Sequence, residues 1–293
     1  RSLMDLGDAL GCPHCQSRLV ATDEPAAWLQ CTACGQQYGL EGRCPALLRR
    51  EDAFRLQDFA RKYRETRLRE GWQPPTRQQA LGLPYSQPTG SPALYWLVRR
   101  QSFCALMGIL AREGPTPAHG PAADLGAGTG WLSYRLAQVG YQVLAVDASL
   151  DADWGLGAAE QHYLPKVHFQ PVLGDLQHPP LLAGNLGLIV FNASLHYASD
   201  LESTLLRAAR ALKPIGRIII LDTPIARRPR PGTGRGDRHL GRRELDQALL
   251  AAGLSPRWFS VRRGARWWSH QVRASLRRDG IFSFPIVVAD PQP

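Results

Sequence analysis

From residue 121 onward the chain alternates short apolar runs with stretches of helical periodicity. Runs at 121–123, 143–146, 167–173, 188–191 and 216–221 read as strands; 131–139, 201–212 and 243–252 read as helices, the last closed by Gly253. Strands alternating with helices belong to α/β proteins with a largely parallel sheet. Residues 227–242, with two prolines and four glycines, read as a loop. Beyond it, 256–261 reads as a strand and 264–278 as a helix with Trp268, Val272 and Leu276 on one face. A final strand spans 281–288, where Pro285 unsettles the pairing. Before residue 121 the pattern is helical. A helix over 51–72 has Phe54, Phe59, Tyr63 and Leu68 as its apolar positions, and a loop over 73–92 holds five prolines. A second helix over 94–110 carries Leu94, Leu97, Val98, Gln101, Ala105 and Gly108 at 3–4 spacing, widened by Phe103 and Met107. A Pro/Gly linker over 113–121 follows.

The chemistry concentrates at the ends of the apolar runs. Asp124-Leu125-Gly126-Ala127-Gly128-Thr129-Gly130 joins the first run to the first helix. Glycines let a backbone approach a nucleoside ligand closely, and the helix start offers unpaired N–H donors. Asp147 ends the next run, where a ribose-binding carboxylate belongs in a Rossmann-type unit. An acid followed by Gly126-x-Gly128-x-Gly130 resembles the first motif of class I S-adenosylmethionine (SAM) methyltransferases, and the likeness spans roughly residues 120–222. It implies a doubly wound, seven-stranded α/β Rossmann-like sheet and SAM as cofactor. Gly126, Ala127, Gly128 and Gly130 would line that cofactor. Asp124 would orient its amino group, directly or through water. Asp147, followed by Ala148, would accept the ribose hydroxyls. Asp175 and Leu176 match the adenine position, and Asn192 opens the fourth motif. The alternative is an NAD-dependent dehydrogenase or another Rossmann protein, in which acids at three consecutive strand ends are harder to explain.

Six cysteines include Cys12-Pro13-His14-Cys15 and, fifteen residues on, Cys31-Thr32-Ala33-Cys34-Gly35. Two such knuckles present four thiolates to one tetrahedral ion, so Cys12, Cys15, Cys31 and Cys34 are expected to hold a closed, structural zinc; a redox CxxC pair is the alternative. Cys44 and Cys104 lack partners at ligand spacing and read as ordinary semi-buried cysteines. The segment resembles zinc ribbons at the N-terminus of some bacterial methyltransferases, among them ribosomal RNA guanine methyltransferases. The expected organisation is a ribbon over 1–48, a helical linker or lid over 49–118 and a SAM-binding domain over 119–293. With 44% hydrophobic residues in 293, the chain can bury a full-sized core plus a small one. No apolar run reaches membrane-span length and no signal peptide is apparent, so a cytoplasmic protein is expected.

Charge adds a direction. The net +10 is uneven: residues 1–48 carry −2, 49–120 carry +6, 121–222 carry −3 and 223–293 carry +9. Basic segments flank the cofactor half on the sides where the resemblance places the methyl acceptor, which favours an anionic, small or medium-sized acceptor. Enzymes that methylate exocyclic base amines carry an Asn/Asp-Pro-Pro-aromatic fourth motif. Asn192-Ala193-Ser194-Leu195-His196-Tyr197 instead resembles the enzymes that methylate small molecules. His196 is the candidate base and Tyr197 a weaker one, with acceptor positioning as the alternative role. Tyr63 and Arg64 are candidate lid residues. A structured RNA is the second expectation, from the ribbon, Arg262, Arg263 and Arg266 and the pair Trp267-Trp268; a non-catalytic SAM-binding scaffold is the third.

Overall fold

The computed structural model describes residues 8–22, 28–42, 44–226, 240–264, 267 and 282–292. The cysteine-rich segment forms β1 (Leu19–Ala21), β2 (Leu29–Cys31), β3 (Gln37–Glu41) and β4 (Cys44–Leu47), paired antiparallel in that order. Two helices over the sheet follow, α1 (Arg50–Arg69) and, after the short α2 (Arg77–Gly82), α3 (Ala93–Glu113). The alternating half then runs β5 (Ala122–Leu125), α4 (Trp131–Gln138), β6 (Val143–Asp147), α5 (Gly157–His162), β7 (Gln170–Gly174), β8 (Leu186–Asn192), α6 (Leu201–Ala211) and β9 (Leu212–Leu221). Last come β10 (Ile225–Ala226), β11 (Leu240–Gly241), α7 (Arg242–Ala251), β12 (Leu254–Phe259), β13 (Phe282–Ser283) and β14 (Ile286–Pro291).

The strand order is β1-β2-β3-β4-β7-β6-β5-β8-β9-β14-β12, with β11-β10-β13 as a separate small sheet. The seven strands from β7 to β12 are the doubly wound sheet; β7, β6, β5, β8 and β9 run parallel, and β14 enters antiparallel between β9 and β12. All residues of β5 and β8 are buried, as expected for parallel strands covered on both faces. Alternation along each strand separates two cores. One face holds Ala123, Leu125, Leu144, Val146, Ile189 and Phe191 against α6, α7 and the cysteine-rich segment. The other holds Ala122, Val143, Ala145, Leu188 and Val190 against α3 and α4. Helix α6 shows the local logic: Asp200 caps it through Ser203 N–H, and Leu201, Thr204, Leu205 and Ala208 recur at helical spacing on its buried face.

The cysteine-rich segment extends the main sheet. Strand β4 lies parallel to β7, pairing Ala46 with Leu173 and Leu47 with Gly174. Gly11 N–H donates to Pro180 O at 3.0 Å, and a Cβ at Gly11 would stand 2.5 Å from the Leu181 backbone.

Several expectations need correction. Of the expected apolar positions of α1, Phe59 and Tyr63 face inward, joined there by Asp52 and Leu56, whereas Phe54 and Leu68 are exposed. Helix α3 is buried more broadly than one stripe, through Trp96, Val98, Arg99, Phe103, Leu106 and Ile109. The proline-rich stretch accommodates α2 because Thr76 and Gln79 form a reciprocal capping box. Residues 240–242 belong to β11 and α7, not to a loop. Pro285 divides the final stretch between β13 and β14. Cys44 is buried and Cys104 exposed. The remainder of the expected loop, and the expected helix over 264–278 apart from Gly264 and Trp267, lie outside the described residues, as do Arg266 and Trp268.

Candidate active site

The carboxyl ends of β5, β6, β7 and β8 line one cavity together with α1. Gly126, Gly128 and Gly130 all have positive φ, at 76°, 56° and 82°. Their surroundings differ. A Cβ on Gly126 would meet Ser194 Cβ at 2.4 Å, whereas one on Gly128 would meet nothing within 4 Å. The first glycine therefore serves close packing, and the second leaves space at the cavity wall. Gly130 begins α4 and packs on Phe169.

Asp147 is tied to the same loop: its carboxylate accepts from Gly128 N–H at 2.8 Å and Ser149 N–H at 2.9 Å. Burial nevertheless pushes it up to about 6. Asp124 is fully buried; Oδ2 accepts from Ser133 Oγ at 2.8 Å, while Oδ1 has no partner. Burial, with a contribution from the Asp147 charge, pushes its carboxyl up to about 7. Two carboxylates with spare acceptor capacity beside a glycine loop suit a ligand with hydroxyls and a cationic amine. SAM has both, so these residues fit it.

Helix α1 covers the cavity. Leu56, Phe59 and Tyr63 line it from above, opposite Asp147, Leu176 and Ser194, and Ala148 lines its side. Ion pairs hold the helix down: Arg55 to Asp175 at 2.5 Å, and Arg64 to Asp151 at 2.6 Å and to Asp153 at 3.7 Å. Asp175 also accepts from Gln177 N–H at 3.0 Å, and its contacts with His178, Gln177 and Arg55 hold it below the usual carboxylate range despite burial. The Arg55–Asp175 contact went unread in the sequence because it depends on how α1 lies across the sheet.

A second cavity adjoins the first, and Ala193 and Tyr197 line both. Its charged and imidazole side chains are Arg67, Arg99, His196 and Asp222. Ala193 and Asp222, each just past a strand end, both have φ of 52°, a conformation that costs a non-glycine residue about 1–3 kcal/mol and clusters at functional sites. Asn192 is buried and its Oδ1 accepts from Arg99 Nη1 at 3.3 Å. Tyr197 stacks near His196, with ring centroids 4.2 Å apart. Burial, then the charges of Arg99 and Arg67, lower His196 to about 4 and keep it neutral; its Nδ1 has no partner. Burial raises Tyr197 well above its ordinary value, so its hydroxyl stays protonated.

Arg99 and Asp222 went unassigned in the sequence, although both left a signal. Asp222 ends an apolar run as Asp147 does, and Arg99 lies three residues after Trp96 and four before Phe103 on a buried helix face. The C-terminal basic residues differ from expectation. Arg263 is turned inward, donating to Val98 O and Phe284 O, each at 2.8 Å; Arg257 pairs with Glu113 and Asp290. Trp267 is buried against Phe284, so it offers no exposed platform for a base.

At the far edge of the sheet, Cys12, Cys15, Cys31 and Cys34 have sulfurs all within 4.8 Å of one another, and none forms a disulfide. The contacts are 3.6 Å for Cys12–Cys34, 3.5 Å for Cys15–Cys31 and 3.7 Å for Cys15–Cys34. Four thiolates bound at about 2.3 Å to a tetrahedral ion would stand about 3.8 Å apart, so the cluster fits zinc. The N–H groups of Ala33 and Cys34 point at Cys31 Sγ, and the Tyr38 hydroxyl lies 3.0 Å from Cys12 Sγ.

Residues 123–220, from β5 to β9, match the family model described as a methyltransferase domain. Similar solved structures include geranyl diphosphate C-methyltransferase from Streptomyces coelicolor A3(2), with a TM-score of 0.51 at 22% identity over 67% of this chain and 77% of that one. Phosphoethanolamine N-methyltransferase 2 from Haemonchus contortus, solved with phosphomonomethylethanolamine and S-adenosylhomocysteine, aligns with a TM-score of 0.54 at 14% identity over 73% of this chain and 56% of that one. No curated protein sequence matches the chain. At these identities the likeness is one of fold: the chain has the α/β fold of SAM-dependent methyltransferases, and no helix among the described residues is long and apolar enough to cross a membrane.

Proposed function

We propose that the protein is a SAM-dependent methyltransferase acting on a small or medium-sized anionic acceptor, with a structural zinc held by Cys12, Cys15, Cys31 and Cys34. One observation carries the reading: the glycine loop and the carboxylates of Asp147 and Asp175 face one cavity, with Asp124 fully buried two residues before the loop's first glycine, and this cavity adjoins an arginine-lined one at Ala193 and Tyr197. Bound SAM would supply an electrophilic methyl group on a sulfonium. Asp147 accepts the ribose hydroxyls with the lone pairs left over from Gly128 and Ser149. Asp124 Oδ1 takes the amino group, Leu176 packs on the adenine, and Gly126, Ala127 and Gly128 let the backbone come close. Helix α1 excludes water above, so that alignment in a dry site supplies most of the acceleration. His196, neutral and with Nδ1 unpaired, positions the acceptor by hydrogen bonding; a group lowered to about 4 is a weak base. The protonated Tyr197 hydroxyl is a donor. The zinc ties the knuckles that carry β4 onto the sheet edge at Gly174, next to Asp175. RNA is not supported: among the described residues of the expected basic and aromatic set, Arg263 and Trp267 face inward and only Arg262 is exposed.

Calorimetry separates this reading from its Rossmann alternative. S-adenosylhomocysteine should bind one per chain and NADH should not bind; the reverse would overturn the reading. Turnover of label from SAM onto an acidic metabolite fraction would exclude the scaffold. Elemental analysis should find one zinc per chain, lost in Cys31→Ser, and a metal-free protein with a Cys12–Cys15 or Cys31–Cys34 disulfide would refute the zinc site.

A further inference from the structure

Around the second cavity, the cations are unequally satisfied. Arg67 has its guanidinium between Tyr63 and Trp72, donates Nη2 to the Tyr63 hydroxyl at 3.1 Å and places Nη1 3.1 Å from Glu70. It is already paired. Arg263 donates to Ser102 Oγ at 2.9 Å, and Ser102 in turn donates to Asp222 Oδ1 at 2.5 Å. Arg99 is different. It is 91% buried, since only 9% of its surface is exposed, and its partners are neutral: the Tyr95 hydroxyl and Asn192 Oδ1. Its Nε has no partner, and the nearest carboxylate oxygen, Asp222 Oδ2, stands 4.0 Å away. Of the charges gathered here, Arg67, Arg99 and Arg263 face Glu70 and Asp222, which leaves one positive charge in excess.

The walls are apolar. Leu94, Val98, Pro224, Phe282 and Phe284 line the cavity with Tyr95, and Tyr197 closes the side shared with the cofactor cavity. A buried guanidinium without a tight carboxylate is costly unless an anion completes it, and its planar fork suits a carboxylate or phosphate. A small hydrated anion would use only Arg99 and leave the apolar walls unfilled. A cation would meet Arg67 and Arg99. Neutral His196 adds no charge to either side.

We infer that the acceptor is amphipathic, with one anionic group seated against Arg99 and an apolar body lying along Leu94, Val98, Pro224, Phe282 and Phe284. This rests on the methyltransferase reading above and makes Arg99 the residue that selects the acceptor. Asp222, held by Ser102 and facing Arg99, positions the guanidinium.

The test uses the full chain saturated with S-adenosylhomocysteine and four probes: 2-naphthoate, 2-naphthol, 2-naphthylmethylammonium and acetate. In the wild-type protein, 2-naphthoate should bind at least about tenfold more tightly than each of the others, as expected for a charge-assisted contact plus apolar burial. Arg99→Gln should erase the preference of naphthoate over naphthol, and Arg99→Lys should retain part of it. Equal affinity for naphthoate and naphthol, a preference for the ammonium probe, or acetate binding as well as naphthoate would overturn the inference. The wild-type panel decides this even if Arg99→Gln fails to fold. Bound S-adenosylhomocysteine with no probe preference would sink this inference alone, whereas failure to bind S-adenosylhomocysteine would remove the methyltransferase reading and this inference with it.

Discussion

The cofactor-side cavity takes most of its polar groups from the glycine loop and carboxylates at the ends of parallel strands, whereas its neighbour takes them from Arg67 on α1, Tyr95 and Arg99 on α3, His196 and Tyr197 in the turn after β8, and Asp222 past β9. The first is fixed by the sheet. Asp124 and Asp147 sit where β5 and β6 stop, and register with neighbouring strands leaves them little freedom. The second depends on how two helices lie across the sheet. One cavity is therefore acidic and fixed by strand ends, and the other is basic and set largely by helix side chains whose change need not disturb the sheet.

The largest expected effect that breaks this contrast is on the acidic side. Asp147→Ala should weaken S-adenosylhomocysteine binding by about 1.5–3 kcal/mol, the cost of losing hydrogen bonds to a charged group, and leave the naphthoate preference in place. Unchanged affinity by calorimetry would remove Asp147 from the cofactor site.

A smaller effect sharpens the electrostatics. Asp124 is pushed up to about 7 and Asp147 to about 6, so below those values both hold protons in the free protein. A cationic amine needs Asp124 ionised, and binding must then release a proton. Affinity for S-adenosylhomocysteine should therefore fall as pH drops through about 7, by roughly tenfold or more between pH 7.5 and 5.5. Asp124→Asn should bind more weakly and flatten that dependence. A pH-independent affinity in the wild type would detach Asp124 from the amine.

The smallest effect concerns the cover. Arg64→Ala removes an exposed ion pair to Asp151, so cofactor dissociation should quicken by a few-fold at most, and the difference should vanish in high salt. Stopped-flow release of a fluorescent cofactor analogue would show it. A large, salt-independent change would mean that Arg64 does more than hold α1 down.

These two cavities were unequally legible in the sequence. Asp124, Asp147 and Asp175 stand out because each follows a near-continuous apolar run, the mark of a parallel strand buried on both faces, so the first acid after it is easy to place. The four cysteines stand out by spacing. Arg99 and Asp222 require knowing that α3 crosses near the ends of β8 and β9, which no local pattern states. Phe54 and Leu68 mislead because α1 buries Asp52 and the guanidinium of Arg67 on its inner side, paired with Arg49 and stacked on aromatic rings, while two apolar side chains remain outside. Strand β4 reads as the tail of a ribbon, since a four-residue stretch containing Pro45 carries no sign that its free edge completes a larger sheet.

The most direct test of the account is a crystal structure with S-adenosylhomocysteine bound. The ribose should lie on Asp147, the adenine beside Leu176 under α1, and the sulfur should face the junction of Ala193 and Tyr197, opening toward Arg99. A ligand bound elsewhere, or one whose sulfur points away from the second cavity, would contradict the claim that these two cavities form one methyl-transfer site.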